Sequence, residues 1–335
     1  MAPQVRERLQ VCPLSAQVAS SAILSDLQAL RMDRRVGDPA RMGGIGFLWQ
    51  VAGLAIRGRR RAFGGDYVRV FPSVRPEKGT LFVVADSVGA DRQTSVAGRL
   101  AAEALAASYL AHPSPDPLSS LPWAFESARR RLETAFPPPV KAGVVLLAAV
   151  LRGSWLFLAH VGDCRAYLVR SGQTRLLTHD HRWVTQEVLA RALSPAQAAK
   201  HPWRRVLTRW LGRGNAGEPD LCCKQVQPGD VLVLCSDGLW EAVRERFMAR
   251  VVTACPPGEA VRRLVYAAMR GGEGDDIAAL VIHFAPRSWA MLPLPPSSLR
   301  SGTDPVPVAF QLAGGLSLVT WLIALGLRVA ATAPR

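Results

Sequence analysis

The segment GTLFVVADSVGADRQ, residues 79–93, carries five consecutive apolar residues (81–85) straight into the carboxylate of Asp86. An unbroken apolar run of this length reads as a strand buried on both faces, and a buried strand does not end on a charge without a reason. The same pattern recurs in GDVLVLCSDGLW (229–240), where apolar residues deliver Ser236, Asp237 and Gly238. WLFLAHVGDCRAYLV (155–169) places Asp163 between two apolar half-strands, and GGEGDDIAALVIHF (271–284) sets Asp275 and Asp276 on a glycine-rich loop before a strand. Asp86, Asp163, Asp237 and Asp275 are thus expected at strand edges, each with a glycine nearby.

One such aspartate is an ordinary turn or cap residue. Four together suggest a cluster, and a cluster of buried like charges is costly unless a cation neutralises it. Oxygen donors suit Mg²⁺ or Mn²⁺, and glycines let the backbone approach an ion or ligand closely.

Around these segments the pattern alternates. Strands are expected at 44–56, 66–71 and 81–85. TSVAGRLAAEALAASYL (94–110) reads as a helix with Val96, Leu100 and Ala104 on its buried side and Thr94 or Ser95 as cap. HPSPDPLSSLP (112–122) reads as a loop, and a helix follows at about 123–135 with Ala124, Ala128 and Leu132 on one face. From Gly143 come VVLLAAVL, WLFLAHVG and RAYLVRSGQTRLL, the last with a Ser-Gly hairpin turn. A mixed stretch (179–227) with helical patches precedes the strand DVLVLCS, helices at about 241–253 and 259–270, and a final strand, IAALVIHF. The second of those helices places Val261, Leu264, Val265, Ala268 and Met269 at core spacing. Strands in runs with helices between them indicate an α+β fold of sheets covered by helices.

The chain has 335 residues and a formal charge of +15. Ten arginines face four acids over residues 1–61. A basic surface can meet nucleic acid, anionic lipid or phosphorylated protein, but no zinc-finger or RRM signature accompanies it, and the plain reading is a solvated arginine-rich surface. The six cysteines form no CxxC pair, which fits a reduced, cytosolic chain. Residues 1–43 read as a loosely structured leader without a signal peptide, 44–286 as the folded domain, and 287–305 as a Pro/Ser-rich linker. Residues 306–327 hold no charge for 22 positions, enough for a membrane-spanning C-terminal helix.

Taken in order, these motifs resemble the metal-dependent protein phosphatases (PPM, or protein phosphatase 2C-like) in their bacterial serine/threonine form. HVGDCRAYLVRSGQTRLLTHDH, PGDVLVLCSDGLWEAV and GGEGDDIAALVI are similar to three family motifs, VADSVGADRQTSVAGRLAAEAL to a fourth, and GRRRAFGGD to the family's opening segment. The resemblance implies two packed antiparallel β-sheets flanked by helices, an αββα sandwich. It implies two or three Mn²⁺ or Mg²⁺ ions: Asp86 bridging two of them, Asp237 and Asp275 completing one, and Asp163 matching the ligand of a third. Asp66 and the backbone carbonyl of Ser87 join the expected ligands, and Arg61 would grip phosphate through its two-donor fork.

The reaction so implied is hydrolysis of phosphoserine and phosphothreonine by a metal-activated water, with no serine or cysteine nucleophile. The expected substrates are phosphorylated proteins, a serine/threonine kinase and its targets among them, rather than nucleic acid. The catalytic domain is expected in the cytoplasm, anchored to the inner membrane by the C-terminal helix. The chain departs from the family pattern at Gly65, where the family has Glu, at Ser87, where it has Gly, and at Val144–Val145 and Asp276. The departures at Gly65, Ser87 and Val144 motivate the alternative of a catalytically weakened, phosphoprotein-binding scaffold. A different metal-dependent hydrolase, such as a phosphodiesterase, is the third reading. His179 and His181 read as loop-structural, with a catalytic role as the alternative.

Overall fold

A computed structural model describes residues 48–285, apart from 90, 217, 272 and 273. The leader, the linker and the 306–327 segment expected above all lie outside the described residues. Among the described residues no helix is long and apolar enough to cross a membrane.

The architecture is the expected pair of antiparallel sheets with helices on their outer faces. One sheet orders β1 (Leu48–Ile56), β12 (Ile277–Ala285), β11 (Val231–Cys235), β6 (Arg165–Arg170) and β7 (Gln173–Leu176) as β1-β12-β11-β6-β7. The other orders β10 (Asp220–Gln225), β5 (Trp155–Val161), β4 (Gly143–Arg152), β3 (Thr80–Val88) and β2 (Tyr67–Phe71) as β10-β5-β4-β3-β2. The short β8 (Leu211–Gly212) joins β4 and pairs with β9 (Asn215–Ala216). Ser171 and Gly172 turn β6 into β7 with φ of 50° and 76°, the left-handed pair that suits a two-residue hairpin.

Side-chain alternation sorts the core into layers. On β3, Phe82 and Val84 enter the layer between the sheets, with Val145 and Leu147 of β4, Leu232 and Leu234 of β11, and Leu280 and Ile282 of β12. Leu81, Val83 and Ala85 face the other way, onto α1 (Ala97–Ala111) and α2 (Pro117–Ala135). The first sheet is covered by α6 (Glu245–Ala254) and α7 (Pro257–Arg270). Between the core strands the chain also forms α3 (Trp183–Leu189), α4 (Pro195–Lys200) and the single turn α5 (Asp237–Trp240).

Four local expectations are corrected. α1 buries Ala97, Ala101, Leu105 and Tyr109, whereas Val96 is 54% exposed, so the buried stripe sits one residue later than expected. Small alanines carry it because two helices and a sheet meet there. Neither Thr94 nor Ser95 caps α1; Thr94 instead donates its N–H and hydroxyl to Asp91, ordering the turn before the helix. The expected loop at 112–122 is largely helix: Asp116 accepts from the N–H groups of Leu118 and Ser119, and Pro117 occupies the first helical position. Finally, β10 emerges from the stretch expected to be mixed. Its DLCCKQ alternates half-buried and exposed residues as an edge strand does.

Candidate functional site

The alternation that fills the core also builds the site. Asp86 follows Phe82 and Val84 on the inward face of β3, and β3 runs on to Val88, so Asp86 lies within the strand rather than at its tip. Ser236 follows Leu232 and Leu234 of β11 in the same way, and Asp276 precedes Ala278 and Leu280 of β12. The inter-sheet layer therefore turns from hydrocarbon to oxygen at one end. There Ser236 donates its hydroxyl to Asp66 Oδ2 at 2.6 Å, while the buried Oδ1 of Asp66 has no hydrogen-bond partner among the described residues.

These carboxyls lie close enough to perturb one another. Burial, reinforced by Asp276 and Asp237, pushes Asp66 well above the usual carboxylate range. Burial and then Asp66, Asp237 and Asp163 do the same to Asp86. Asp237, the first residue of α5, is pushed up to about 7, mainly by burial and next by Asp163, against the pull of Arg182. Asp163, in the turn after β5, is also raised by burial, with Arg182 opposing. Carboxylates held this way prefer a proton or a cation to a bare charge.

Arg61 and Asp275 stand at the rim. Asp275 Oδ1 accepts from Arg61 Nε and lies 2.7 Å from Arg61 Nη2, and it also accepts from the N–H of Asp276. Its other oxygen is the one it can offer an ion. Asp276 points the other way. Its two oxygens accept the N–H groups of Gly58 at 2.7 Å and Gly65 at 2.6 Å, so it clamps the loop that carries Arg61 and Asp66. A cleft of about 200 Å³ lined by Arg57, Arg59, Arg60 and Asp275 opens beside this loop.

Gly65 and Ser87 are a coupled pair. The Ser87 hydroxyl donates to Gly65 O and accepts from Gly98 N, both at 2.8 Å. A Cβ at Gly65 would lie 2.7 Å from Ser87 Cβ. Serine at 87 thus fills the room that a side chain at 65 would need. With its side chain so committed, Ser87 can offer an ion its backbone carbonyl only.

The structure adds residues that the sequence reading did not single out. Arg182 is 4% exposed and donates Nε to Asp163 Oδ2 at 2.5 Å, Nη2 to Asp237 Oδ2 at 3.0 Å and Nη1 to Glu241 Oε1 at 2.6 Å. Its guanidinium lies 4.6 Å from the Trp240 ring centre, and Trp240 Nε1 donates to Asp163 O. These partners are 19, 55 and 59 residues away in the chain, beyond any local sequence signal. Asp180 grips Arg165 with both oxygens. His181 accepts from Gly162 N through Nδ1 and stacks on His160, which holds the Asp163 turn in place. His160, His181 and Asp220 could place three ligand atoms within 4.8 Å of one another, but Arg209 lies against both His181 and Asp220, and His160 bonds to His179 O.

Asp66, Asp86 and Asp237 fit divalent cations by donor type, by their raised pKa and by the unpartnered Asp66 oxygen.

Comparison with known proteins places this site in a family. The protein phosphatase 2C profile matches residues 71–191, and that of stage II sporulation protein E (SpoIIE) matches 207–285. A protein phosphatase 2C-type protein of Streptococcus pyogenes is 30% identical over 188 residues, covering 54% of this chain and 75% of that one. The serine/threonine protein phosphatase PstP of Mycobacterium tuberculosis is 31% identical over 204 residues, covering 60% of this chain; the match spans 40% of PstP. The solved PstP catalytic domain, in complex with two manganese ions, superposes with a TM-score of 0.60 at 28% identity, covering 71% of this chain and 98% of that one. The chain belongs to the protein phosphatase 2C (PPM) family.

Proposed function

We propose that the chain is a metal-dependent phosphatase of phosphoserine and phosphothreonine in proteins. The observation that carries this reading is the convergence of Asp66, Asp86 and Asp237, three carboxyls raised by burial, beside Arg61. Asp86 and Asp237, with Asp66, the free oxygen of Asp275 and the Ser87 carbonyl, would hold two Mn²⁺ or Mg²⁺ ions. Such ions lower the pKa of a bound water and neutralise charge on a phosphoryl group. Arg61, tied to Asp275 and only partly buried, is placed to grip phosphate oxygens with its fork. Arg57, Arg59 and Arg60 add positive charge along the approach, which suits phosphorylated protein chains.

Support comes also from the relatives, whose names describe serine/threonine phosphatases, and from the manganese in the PstP domain. The Gly65–Ser87 exchange keeps the packing between β3 and the Arg61 loop intact, which favours an active enzyme over a scaffold. A kinase and its targets as substrates, and a membrane tether through residues 306–327 that leaves the catalytic domain in the cytoplasm, complete the proposal.

The test is phosphate release from a phosphothreonine peptide by the full chain, with and without Mn²⁺, beside Asp237→Asn. Release that needs Mn²⁺ and is lost in the variant supports the assignment. A folded chain that releases nothing with Mn²⁺, and nothing when Mg²⁺ replaces it, would refute it. Fractionating cells that express the chain with and without residues 303–335 tests the tether.

A further inference from the structure

We propose that Arg182 takes the place of a divalent cation between Asp163 and Asp237, so that this site loads two ions and not three. The inference rests on the metal-dependent reading above and deepens it.

Asp66, Asp86, Asp163 and Asp237 crowd one end of the inter-sheet layer, and Arg182 is the cation donated into that group. Its Nε and Nη2, which form one edge of the planar fork, are divided between two carboxylates: Oδ2 of Asp163 and Oδ2 of Asp237. An ion shared by those two aspartates would draw on the same region of negative charge and would meet a guanidinium already there. Two cations a few ångströms apart repel strongly in a setting of low polarity.

The guanidinium is also built in. Nη1 is held by Glu241, whose other oxygen pairs with Arg205 at 2.5 Å. The Trp240 ring lies beside it, and Trp240 in turn holds the Asp163 carbonyl. The Arg182 backbone is fixed by a bridge to Leu207 and by the N–H groups of Thr185 and Gln186, which donate to its carbonyl. A side chain this constrained does not swing aside as a surface arginine would. Arginine also keeps its charge at any working pH and cannot be removed by a chelator.

Two consequences follow. Asp163 becomes a positioning residue that aims Arg182 at Asp237, rather than an ion ligand. Asp237, with one oxygen engaged by Arg182, would have its other oxygen left to offer an ion.

The experiment counts Mn²⁺ bound by the full chain, by equilibrium dialysis and titration calorimetry up to millimolar Mn²⁺, in the wild type, Arg182→Ala, Arg182→Lys and Asp163→Asn. The expected counts are two for the wild type, two for Arg182→Lys and two for Asp163→Asn. Arg182→Ala should rise to three, with the added ion lost again in the Arg182→Ala/Asp163→Asn double variant. Three ions in the wild type, or a count that falls in Asp163→Asn alone, would overturn the inference. A wild-type count of zero would instead bring down the metal-dependent reading, and this inference with it. Because the wild-type count and Asp163→Asn decide the matter alone, a failure of Arg182→Ala to fold leaves the test intact.

Discussion

Asp276→Ala is the sharpest perturbation of the site's scaffold. The Asp276 side chain is buried, and its two oxygens accept the N–H groups of Gly58 and Gly65 across more than 200 residues of chain. Hydrogen bonds to a charged acceptor contribute about 1.5–3 kcal/mol each, and alanine would leave both N–H groups buried and unmet. The gross loss is therefore about 3–6 kcal/mol. Removing a buried charge returns part of its desolvation cost, and a water entering the gap would satisfy one donor. The net expectation is a destabilisation of about 2–4 kcal/mol, and Asp276→Asn, which keeps one acceptor oxygen, should fall near half of that. Urea denaturation followed by tryptophan fluorescence measures both. Because the clamped loop carries Arg61 and Asp66, phosphatase activity of the folded alanine variant should drop as well, through KM as much as kcat. An alanine variant within about 0.5 kcal/mol of wild type would refute the clamp, since that is the range of an uninvolved surface site.

Three further outcomes are expected. Gly65→Glu should destabilise by about 1–3 kcal/mol through overpacking against Ser87, and adding Ser87→Gly should recover most of it, a coupling that a double-mutant cycle reads directly. His283 on β12 titrates at about 4 because of burial, and its Nε2 is buried without a partner among the described residues. The unfolded chain takes up that proton near pH 6.5, so the stability His283 allows is full above pH 6.5 and falls as the pH drops towards 4. The loss should reach about 1–2 kcal/mol at pH 5 after allowing for partial exposure, and His283→Phe should flatten that share of the profile in urea melts at pH 7 and pH 5. Leu105→Ala should cost about 2–5 kcal/mol, whereas Val96→Ala should change stability by no more than about 0.5 kcal/mol; equal costs would contradict the observed face of α1.

The sequence by itself determined the strands and their apolar runs, and it marked the aspartates that follow those runs, although Asp86, expected at a strand tip, lies inside β3. Period-two burial and apolar runs are local signals, and Leu81–Ala85, Val231–Cys235 and Ile277–Phe284 could hardly be anything but buried strands. It also grouped Asp86, Asp163, Asp237 and Asp275, because isolated charges at the ends of buried strands need a common counter-charge; Asp66 joined them only through the family resemblance, and Asp275 stands at the rim on Arg61. Local chemistry was misread where two signals competed. Pro117 looked like a breaker, but behind the Asp116 cap it starts a helix, and the α1 stripe slipped by one residue because alanines serve either face.

The tertiary structure alone decided how the charges are divided. Asp275 and Asp276 are adjacent in sequence, yet one faces Arg61 at the rim and the other clamps two backbone N–H groups inside. Ser87 looked like a departure from the family pattern until its hydroxyl was seen to link Gly65 and Gly98. Arg182 carried no mark in its own neighbourhood; the fold makes it the counter-ion of Asp163, Asp237 and Glu241. The physical reason is range. Hydrophobic periodicity is written within a few residues, whereas the pairing of a buried charge depends on which distant segments the sheets bring within a hydrogen bond of it.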